Sequence, residues 1–449
     1  MIPSPYLYGR VCREKGRVFN GLTREILEVD PALLELTPAG VRWRLEHLRP
    51  EEISLLRENK FLFPDAGAAQ RALTEYLRGL FQPGATLGVT LTLTYFCNLR
   101  CRYCAHGKLI DRREFMSPAV ARQTIRWLEE MMARWATRHL RVTFYGGEPL
   151  LHFPLLDFLA TELRELCRRQ GVSYTFDLFT NGTLLTRERA SRLRALEVTT
   201  VTVTVDGPRE VHDRRRPYKS GGGTFDHILR NLHAALEEGL EVCLGTNLDC
   251  QTPAQVEELI RALTEAGVAR RVSFSFGRTS PSLDNREFFT EVPELSTREF
   301  QRLWVLSQDL ISRYGLRHAK NPARFLMYGF CDFWAPTTYV VMPSGRLTKC
   351  LGYMEVPEMV LGEVSGGAPR LPYDPAAVAR DPLAIFAPPC RECFLLPHCF
   401  GGCLFEARLR GLQARQLPFC QKELILRGLD LVLEGLDADA DPGTGEGLG

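Results

Sequence analysis

The 449-residue sequence predicts an α/β fold: a partial (β/α)6, TIM-like barrel with a small N-terminal α+β domain before it and a cysteine-rich C-terminal domain after it. Three observations predict it. Between residues 88 and about 278, β-branched apolar runs alternate with amphipathic helical patterns, which gives right-handed crossovers and parallel strands. Chemically unusual residues follow the ends of successive runs, the face on which α/β folds collect their chemistry. Ten of the 14 cysteines fall in two stretches, 97–104 and 331–420. A doubly wound sheet would share the same local pattern, so the barrel is the favoured of two readings.

Residues 1–85 read as a separate domain. "RVFNGLTREILEVD" predicts two strands about an Asn-Gly turn. "TPAGVRWRLEHL" and "PEEISLLREN" predict helices, and "FLFPDAGAAQ" closes the domain. The barrel occupies 86–320, with strands at 88–96, 139–147, 173–182, 199–207, 240–248 and 270–278 and a further helix at 296–316. The segment 321–436 shows little regular pattern before a helix in "QKELILRGLDLVLEGL". The acidic, glycine-rich tail 437–449 is predicted to be disordered.

Composition narrows the function. The chain is 45% hydrophobic and 24% charged, with a formal net charge of +2, so nothing draws it as a whole to nucleic acid or anionic membrane. No apolar run approaches the ~20 residues that span a bilayer, and "MIPSPYLYGRVCREKG" lacks the apolar core of a signal peptide. A cytoplasmic protein is expected, with no nucleic-acid or membrane partner. In that reducing compartment clustered cysteines predict metal or redox work rather than disulfides. The scattered Cys12, Cys167, Cys243 and Cys250 are expected to be small buried hydrophobes.

"CNLRCRYC" places Cys97, Cys101 and Cys104 in one loop after the first strand. A [4Fe–4S] cluster has four irons, so three thiolates leave one iron open to another ligand. A zinc loop or plain buried cysteines would use the same residues. "GGEP" at 146–149 favours the cluster: its glycines permit close backbone approach to a ligand, and Glu148 offers a carboxylate to an ammonium group. The missing ligand then carries an amine and a carboxylate. "TNG" (Thr180, Asn181, Gly182) and "TVDG" (Thr204, Asp206) mark the next two strand ends.

At this point the chain resembles the radical SAM enzymes, whose CxxxCxxC and GGE motifs are matched by "CNLRCRYC" and "YGGEPL". The resemblance covers about residues 88–280. It implies a cluster on Cys97, Cys101 and Cys104 with S-adenosylmethionine on the open iron, reductive cleavage to a 5′-deoxyadenosyl radical, and hydrogen abstraction from substrate. It further implies Tyr103 against the adenine, Gly146, Gly147 and Glu148 at the amino group, and Asn181, Thr204 and Asp206 around the rest of the cofactor. Ala105 stands where many relatives have an aromatic residue.

The C-terminal cysteines run Cys331, thirteen residues, Gly345, four residues, Cys350; then "CRECFLLPHCFGGC" gives Cys390, Cys393, Cys399 and Cys403, and Cys420 follows. A CxxC pair alone also suits zinc. The order is similar to the SPASM domain of peptide-modifying radical SAM enzymes. That resemblance implies two auxiliary [4Fe–4S] clusters, one on Cys331, Cys350 and Cys403, the other on Cys390, Cys393, Cys399 and Cys420. The N-terminal pattern resembles the peptide-recognition domain of thioether- and cyclophane-forming maturases, which takes a leader peptide as an added strand.

The expected substrate is therefore a peptide or protein, a precursor with a leader, oxidised to a cross-link or desaturation. The expected reductant is a flavodoxin or ferredoxin. Formylglycine formation, as in anaerobic sulfatase maturases, is the alternative; Leu351 follows Cys350 where those enzymes commonly carry an aspartate. An iron–sulfur electron carrier without catalysis would not need "YGGEPL". "DRRRP" at 213–217 reads as a solvated basic loop, His106 and Lys108 as neighbours of the site. Asp206, Asp213 and Tyr353 are candidate bases.

Overall fold

The computed structural model describes residues 1–37, 40–104, 106–248, 253–278, 295–319, 331–354, 356–409, 420 and 422–435. Ala105, Cys250 and the 437–449 tail lie outside the described residues. The chain divides into two compact units: residues 82–319 with 332–374, and residues 1–81 with 320–331 and 375–449.

The larger unit holds the six expected strands as β1 (Thr86–Thr92), β2 (His139–Tyr145), β3 (Ser173–Thr180), β4 (Thr200–Thr204), β5 (Val242–Asn247) and β6 (Ser273–Gly277). Each pairs in parallel with its predecessor. The spatial order repeats the chain order without a reversal. A doubly wound sheet reverses at a switch point, so the winding is that of a barrel. Helices fill the crossovers: α1 (Pro118–Arg134), α2 (Phe153–Gln170), α3 (Arg187–Ala195), α4 (Arg209–Arg215), α5 (Phe225–Glu237), α6 (Pro253–Glu265) and α7 (Thr297–Arg313). Their ends obey local chemistry. Ser117 caps α1 through Val120 N–H ahead of Pro118, Gly171 ends α2 at φ +66°, and Ser296 with Glu299 forms a capping box on α7.

Beyond β6 lies the short β7 (Arg317–His318). On the far side of β1 the sheet continues with β8 (Thr338–Val341), parallel to β1, and then antiparallel β9 (Arg346–Thr348) and β10 (Gly362–Glu363). These strands correct the expectation of little regular structure after residue 321. Tyr339, Val340 and Val341 are all buried, and Gly345, at φ +87°, allows the turn that Met342 N–H and C=O close on either side.

In the smaller unit the predicted hairpin is present as Lys15–Asn20 paired with Ile26–Val29, and Leu7–Cys12 adds a third strand. The Asn20 side-chain oxygen accepts from Leu22 N–H at 3.0 Å inside the turn. The helix expected over "TPAGVRWRLEHL" is instead a strand, Gly40–Trp43, paired with Leu34–Thr37, and then a single 3-10 turn. Val41 and Trp43 are buried and Arg42 is exposed, a period of two that fits a strand and not a helix. "PEEISLLREN" is helical as expected, over Pro50–Glu58. "FLFPDAGAAQ" does not end the unit: Asp65 caps a helix at Ala66–Leu80.

The three-stranded sheet is not a self-contained domain, as the sequence suggested. Its Cys12 and Phe19 pack on Leu429 and Leu433 of the C-terminal helix Lys422–Gly435. Tyr8 donates to Asp430 at 2.5 Å, and fully buried Arg17 binds Glu28 and the Leu433 carbonyl. A sheet this small leaves an apolar face bare unless another element covers it.

Candidate active site

Past β1 the chain enters the three-cysteine loop, which the backbone pins at several points. Cys97 N–H donates to Ile110 C=O at 3.2 Å, Arg100 N–H to Pro217 C=O at 2.9 Å, and Arg102 N–H to Arg215 C=O at 3.0 Å. The thiols of Cys97, Cys101 and Cys104 line one cavity of about 410 Å³ at the C-terminal ends of the parallel strands. Among the described residues no three His, Cys, Asp or Glu side chains close on a point the size of one ion; these thiols sit on a cavity wall instead. Burial raises all three, Cys104 to about 12 with the neighbouring Cys101 adding to it. A thiolate-binding cluster would relieve that by replacing the protons. Asn181 Nδ2 donates to Cys97 Sγ at 3.7 Å, a contact that suits thiolate sulfur.

Gly146 and Gly147 line the cavity, and they are glycines for a further reason. A Cβ on Gly146 would lie 2.3 Å from the Thr94 carbonyl oxygen, and one on Gly147 would lie 2.1 Å from that of Tyr95. The close approach is to the stem of the cysteine loop, where Gly147 N–H donates to Thr94 C=O and Glu148 N–H to Phe96 C=O. Glu148 itself is fully buried and off the cavity wall. Its carboxylate accepts from Thr180 Oγ1 (2.7 Å), Asn181 N–H (2.7 Å) and Leu150 N–H (2.9 Å). Burial raises its carboxyl, against those three bonds. What Glu148 visibly does is fix Asn181, whose amide reaches Cys97.

Tyr103 lies on the wall with Arg215 stacked 4.8 Å from its ring centre. Its hydroxyl donates to Asp206 and accepts from Arg216 Nη1 at 2.5 Å and Asn247 Nδ2 at 3.2 Å. Asp206 is wholly buried behind the wall. Burial pushes its carboxyl up, but Arg215 and Arg216, with the bonds from Tyr103 and Asn247 N–H, bring it below the usual value. The solvated-loop reading of 213–217 therefore fails for two residues: Arg215 and Arg216 are 5% and 6% exposed, held by Asp206 and Tyr103. Only Arg216 of the pair lines the cavity.

His106 lines the cavity and is kept neutral by burial, its pKa lowered to about 4. Lys108 is exposed and off the wall. None of the three candidate bases lines the cavity: Asp206 is engaged as above, Asp213 accepts from Thr224 and Phe225 N–H at the start of α5, and Tyr353 is buried elsewhere. Sequence reasoning missed two residues of the cavity wall, Asn247, which ends β5, and Arg278, which follows β6. The strand-end rule that found the first four motifs would have found these two.

In the smaller unit Cys390, Cys393, Cys399 and Cys420 lie close enough to feel one another's charge, though no three of these described residues close on a single ion. Burial, and then the charges of Cys390, Cys420 and Cys393, raise Cys399 to about 12; Cys390 rises to about 11 by burial and the charges of Cys393 and Cys420. Cys331 and Cys403 belong to this unit and Cys350 to the larger one.

Residues 91–263 match the family model described as the radical SAM superfamily. Over 183 residues the chain is 32% identical to the Fe-coproporphyrin III synthase of Methanosarcina barkeri, which covers 40% of this chain and 42% of that protein, less than half its length. Over 342 residues it is 22% identical to a cysteine-type anaerobic sulfatase-maturating enzyme of Clostridium novyi, covering 68% of this chain and 84% of that one. Among solved structures, Streptococcus suis SuiB bound to S-adenosylmethionine aligns at a TM-score of 0.56 and 17% identity, covering 94% of this chain and 100% of that chain. At that identity the likeness is one of fold.

Proposed function

Because residues 91–263 form a radical SAM domain, we propose that the protein is a radical SAM oxidoreductase that modifies a peptide or protein. One observation carries the reading: the three thiols, Asn181, Thr204 and Arg216 line a single cavity at the strand ends. Cys97, Cys101 and Cys104 would hold a [4Fe–4S] cluster, with S-adenosylmethionine on its open iron. Such a pair would supply hydrogen-abstracting radical chemistry at this wall.

The chain's own residues bind and orient. Arg216, fixed by Tyr103 and Asp206, presents a buried cation to an anionic group of the cofactor. Thr204 and Asn247 offer neutral hydroxyl and amide contacts beside it. Gly146 and Gly147 leave room at the cysteine loop, and Glu148 sets Asn181 rather than meeting the ammonium group unaided. Cys390, Cys393, Cys399 and Cys420 of the smaller unit would hold an auxiliary cluster. It gives a route for the electron that hydrogen abstraction leaves in the substrate.

A peptide substrate is supported by the solved structure of S. suis SuiB bound to the precursor peptide SuiA. In this chain Ile26–Val29 is an edge of the three-stranded sheet, where a leader would add as a strand. A flavodoxin or ferredoxin would supply the electron. A second reading, formylglycine formation, draws on the C. novyi relative. Leu351, packed in a cluster with Tyr95 and Met354, stands where those enzymes commonly carry an aspartate, which disfavours this reading. No helix among the described residues is long and apolar enough to cross a membrane.

The test is anaerobic reconstitution with iron and sulfide, reduction by dithionite, and measurement of 5′-deoxyadenosine. Wild type forms it and Cys97→Ala does not. Equal amounts from both, or none from a wild type shown to hold iron, would refute the reading.

A further inference from the structure

The cysteine loop has an outer face as distinctive as its inner one. Residues 97–115 carry five cations, Arg100, Arg102, Lys108, Arg112 and Arg113, and two carboxylates, Asp111 and Glu114: a net +3 in a chain whose total is +2. All five cations are exposed, while Leu99, Ile110 and Cys97 of the same loop are buried. The loop is thus two-sided, thiols inward and positive charge outward.

Part of this charge meets an aromatic centre. Phe96, the residue before Cys97, has Lys219 Nζ 4.5 Å from its ring centre and Arg113 Cζ at 5.3 Å. Phe115, one of the few exposed large apolar side chains among the described residues at 38%, lies 6.2 Å from Phe96. Asp111 joins Lys219 (2.7 Å) to Arg100 (3.3 Å), so Arg100, Lys219 and Arg113 belong to one continuous patch. Nothing in the cavity chemistry uses it, since neither phenylalanine and none of these cations lines the cavity.

We propose that this patch is the docking surface for an acidic, one-electron carrier protein, which delivers its electron to the centre held by Cys97, Cys101 and Cys104; it rests on the radical SAM reading above. A small aromatic centre with a charged rim is the anatomy of brief redox encounters, whose interfaces are small and whose on-rates are steered by charge. The position is apt as well: the patch begins one residue from Cys97. One electron leaves the donor and one enters the centre, with no atom transferred. Charge complementarity selects an acidic carrier over a neutral or basic one.

The experiment compares wild type with Arg112→Glu/Arg113→Glu and Arg112→Gln/Arg113→Gln, using a reduced acidic flavodoxin as the protein donor and dithionite as the small one. Flavodoxin affinity is measured directly at low and high salt, alongside 5′-deoxyadenosine formation. Charge reversal is expected to cut flavodoxin-driven turnover about tenfold at low salt, with the glutamine pair intermediate, the salt dependence flattened and the dithionite rate within about twofold of wild type. Unchanged flavodoxin affinity would overturn the proposal. So would an equal loss with dithionite, which would make the patch part of the site itself. A loss of peptide affinity with flavodoxin binding intact would assign the surface to substrate instead. If wild type makes no 5′-deoxyadenosine even with dithionite, the radical SAM reading fails, while flavodoxin affinity still decides the surface.

Discussion

Replacing Gly147 by alanine tests how the cysteine loop is held. The added Cβ would lie 2.1 Å from the Tyr95 carbonyl oxygen, 2.4 Å from that of Phe96 and 2.6 Å from the Phe96 carbonyl carbon. All three are backbone atoms, so no side chain can swing aside. The Tyr95 oxygen must retreat by about 1.3 Å to reach ordinary contact. That movement lengthens the bonds from Gly147 N–H to Thr94 C=O (2.8 Å) and from Glu148 N–H to Phe96 C=O (3.0 Å). Overpacking a tight site costs ~1–3 kcal/mol, and two backbone hydrogen bonds add ~1 kcal/mol each. The total of ~3–5 kcal/mol corresponds to a fall of about 10 °C in melting temperature for a unit of this size. Because Cys97 follows Phe96 directly, iron content after reconstitution should fall as well. Calorimetry and iron analysis on the same preparation give both readouts. A Gly147→Ala variant that melts and binds iron like wild type would refute the packing argument.

Three further outcomes are expected. Arg216→Met leaves the buried Asp206 carboxylate with one guanidinium fewer and should destabilise by ~3 kcal/mol; adding Asp206→Asn should recover part of the loss in a denaturant titration. His212, between Asp206 N–H and Thr224 Oγ1, has its pKa lowered to about 4 by burial and then by Arg216, against ~6.5 in an unfolded chain. The unfolded state therefore binds the extra proton between those values. Stability is full above pH 6.5 and falls by on the order of 3 kcal/mol as pH drops through 4, and unfolding curves of His212→Asn should lack that share of the slope. Cys399→Ala should lower iron content and stop product formation while sparing some S-adenosylmethionine cleavage, which chromatography of 5′-deoxyadenosine and of the peptide separates.

The barrel was legible because its strands are continuous β-branched runs with helices of strong periodicity between them, and each of the six lies within two residues of its expected start except β6, which begins at Ser273 rather than 270. Cys97, Cys101 and Cys104 were legible because local spacing alone brings them to one wall. What sequence hid is what distant partners decide. Arg215 and Arg216 look solvated in a run of charges, and they are buried because Asp206 and Tyr103 meet them. Glu148 looks like a ligand group until Thr180, Asn181 and Leu150 take up its carboxylate. The N-terminal sheet looks independent because its cover, the helix at Lys422–Gly435, lies some 400 residues away in the chain. The helix expected near Trp43 failed for a local reason: the Val41–Arg42–Trp43 alternation outweighs the Thr-Pro start signal.

The most direct test of the central claim is the mass of a peptide. The enzyme would be co-expressed anaerobically with any small open reading frame encoded beside it, and the peptide product weighed by high-resolution mass spectrometry. The account predicts a loss of two hydrogens that disappears with Cys97→Ala, after which fragmentation locates the new bond. A peptide of unchanged mass, from an enzyme that still cleaves S-adenosylmethionine when reduced, would contradict oxidative peptide maturation.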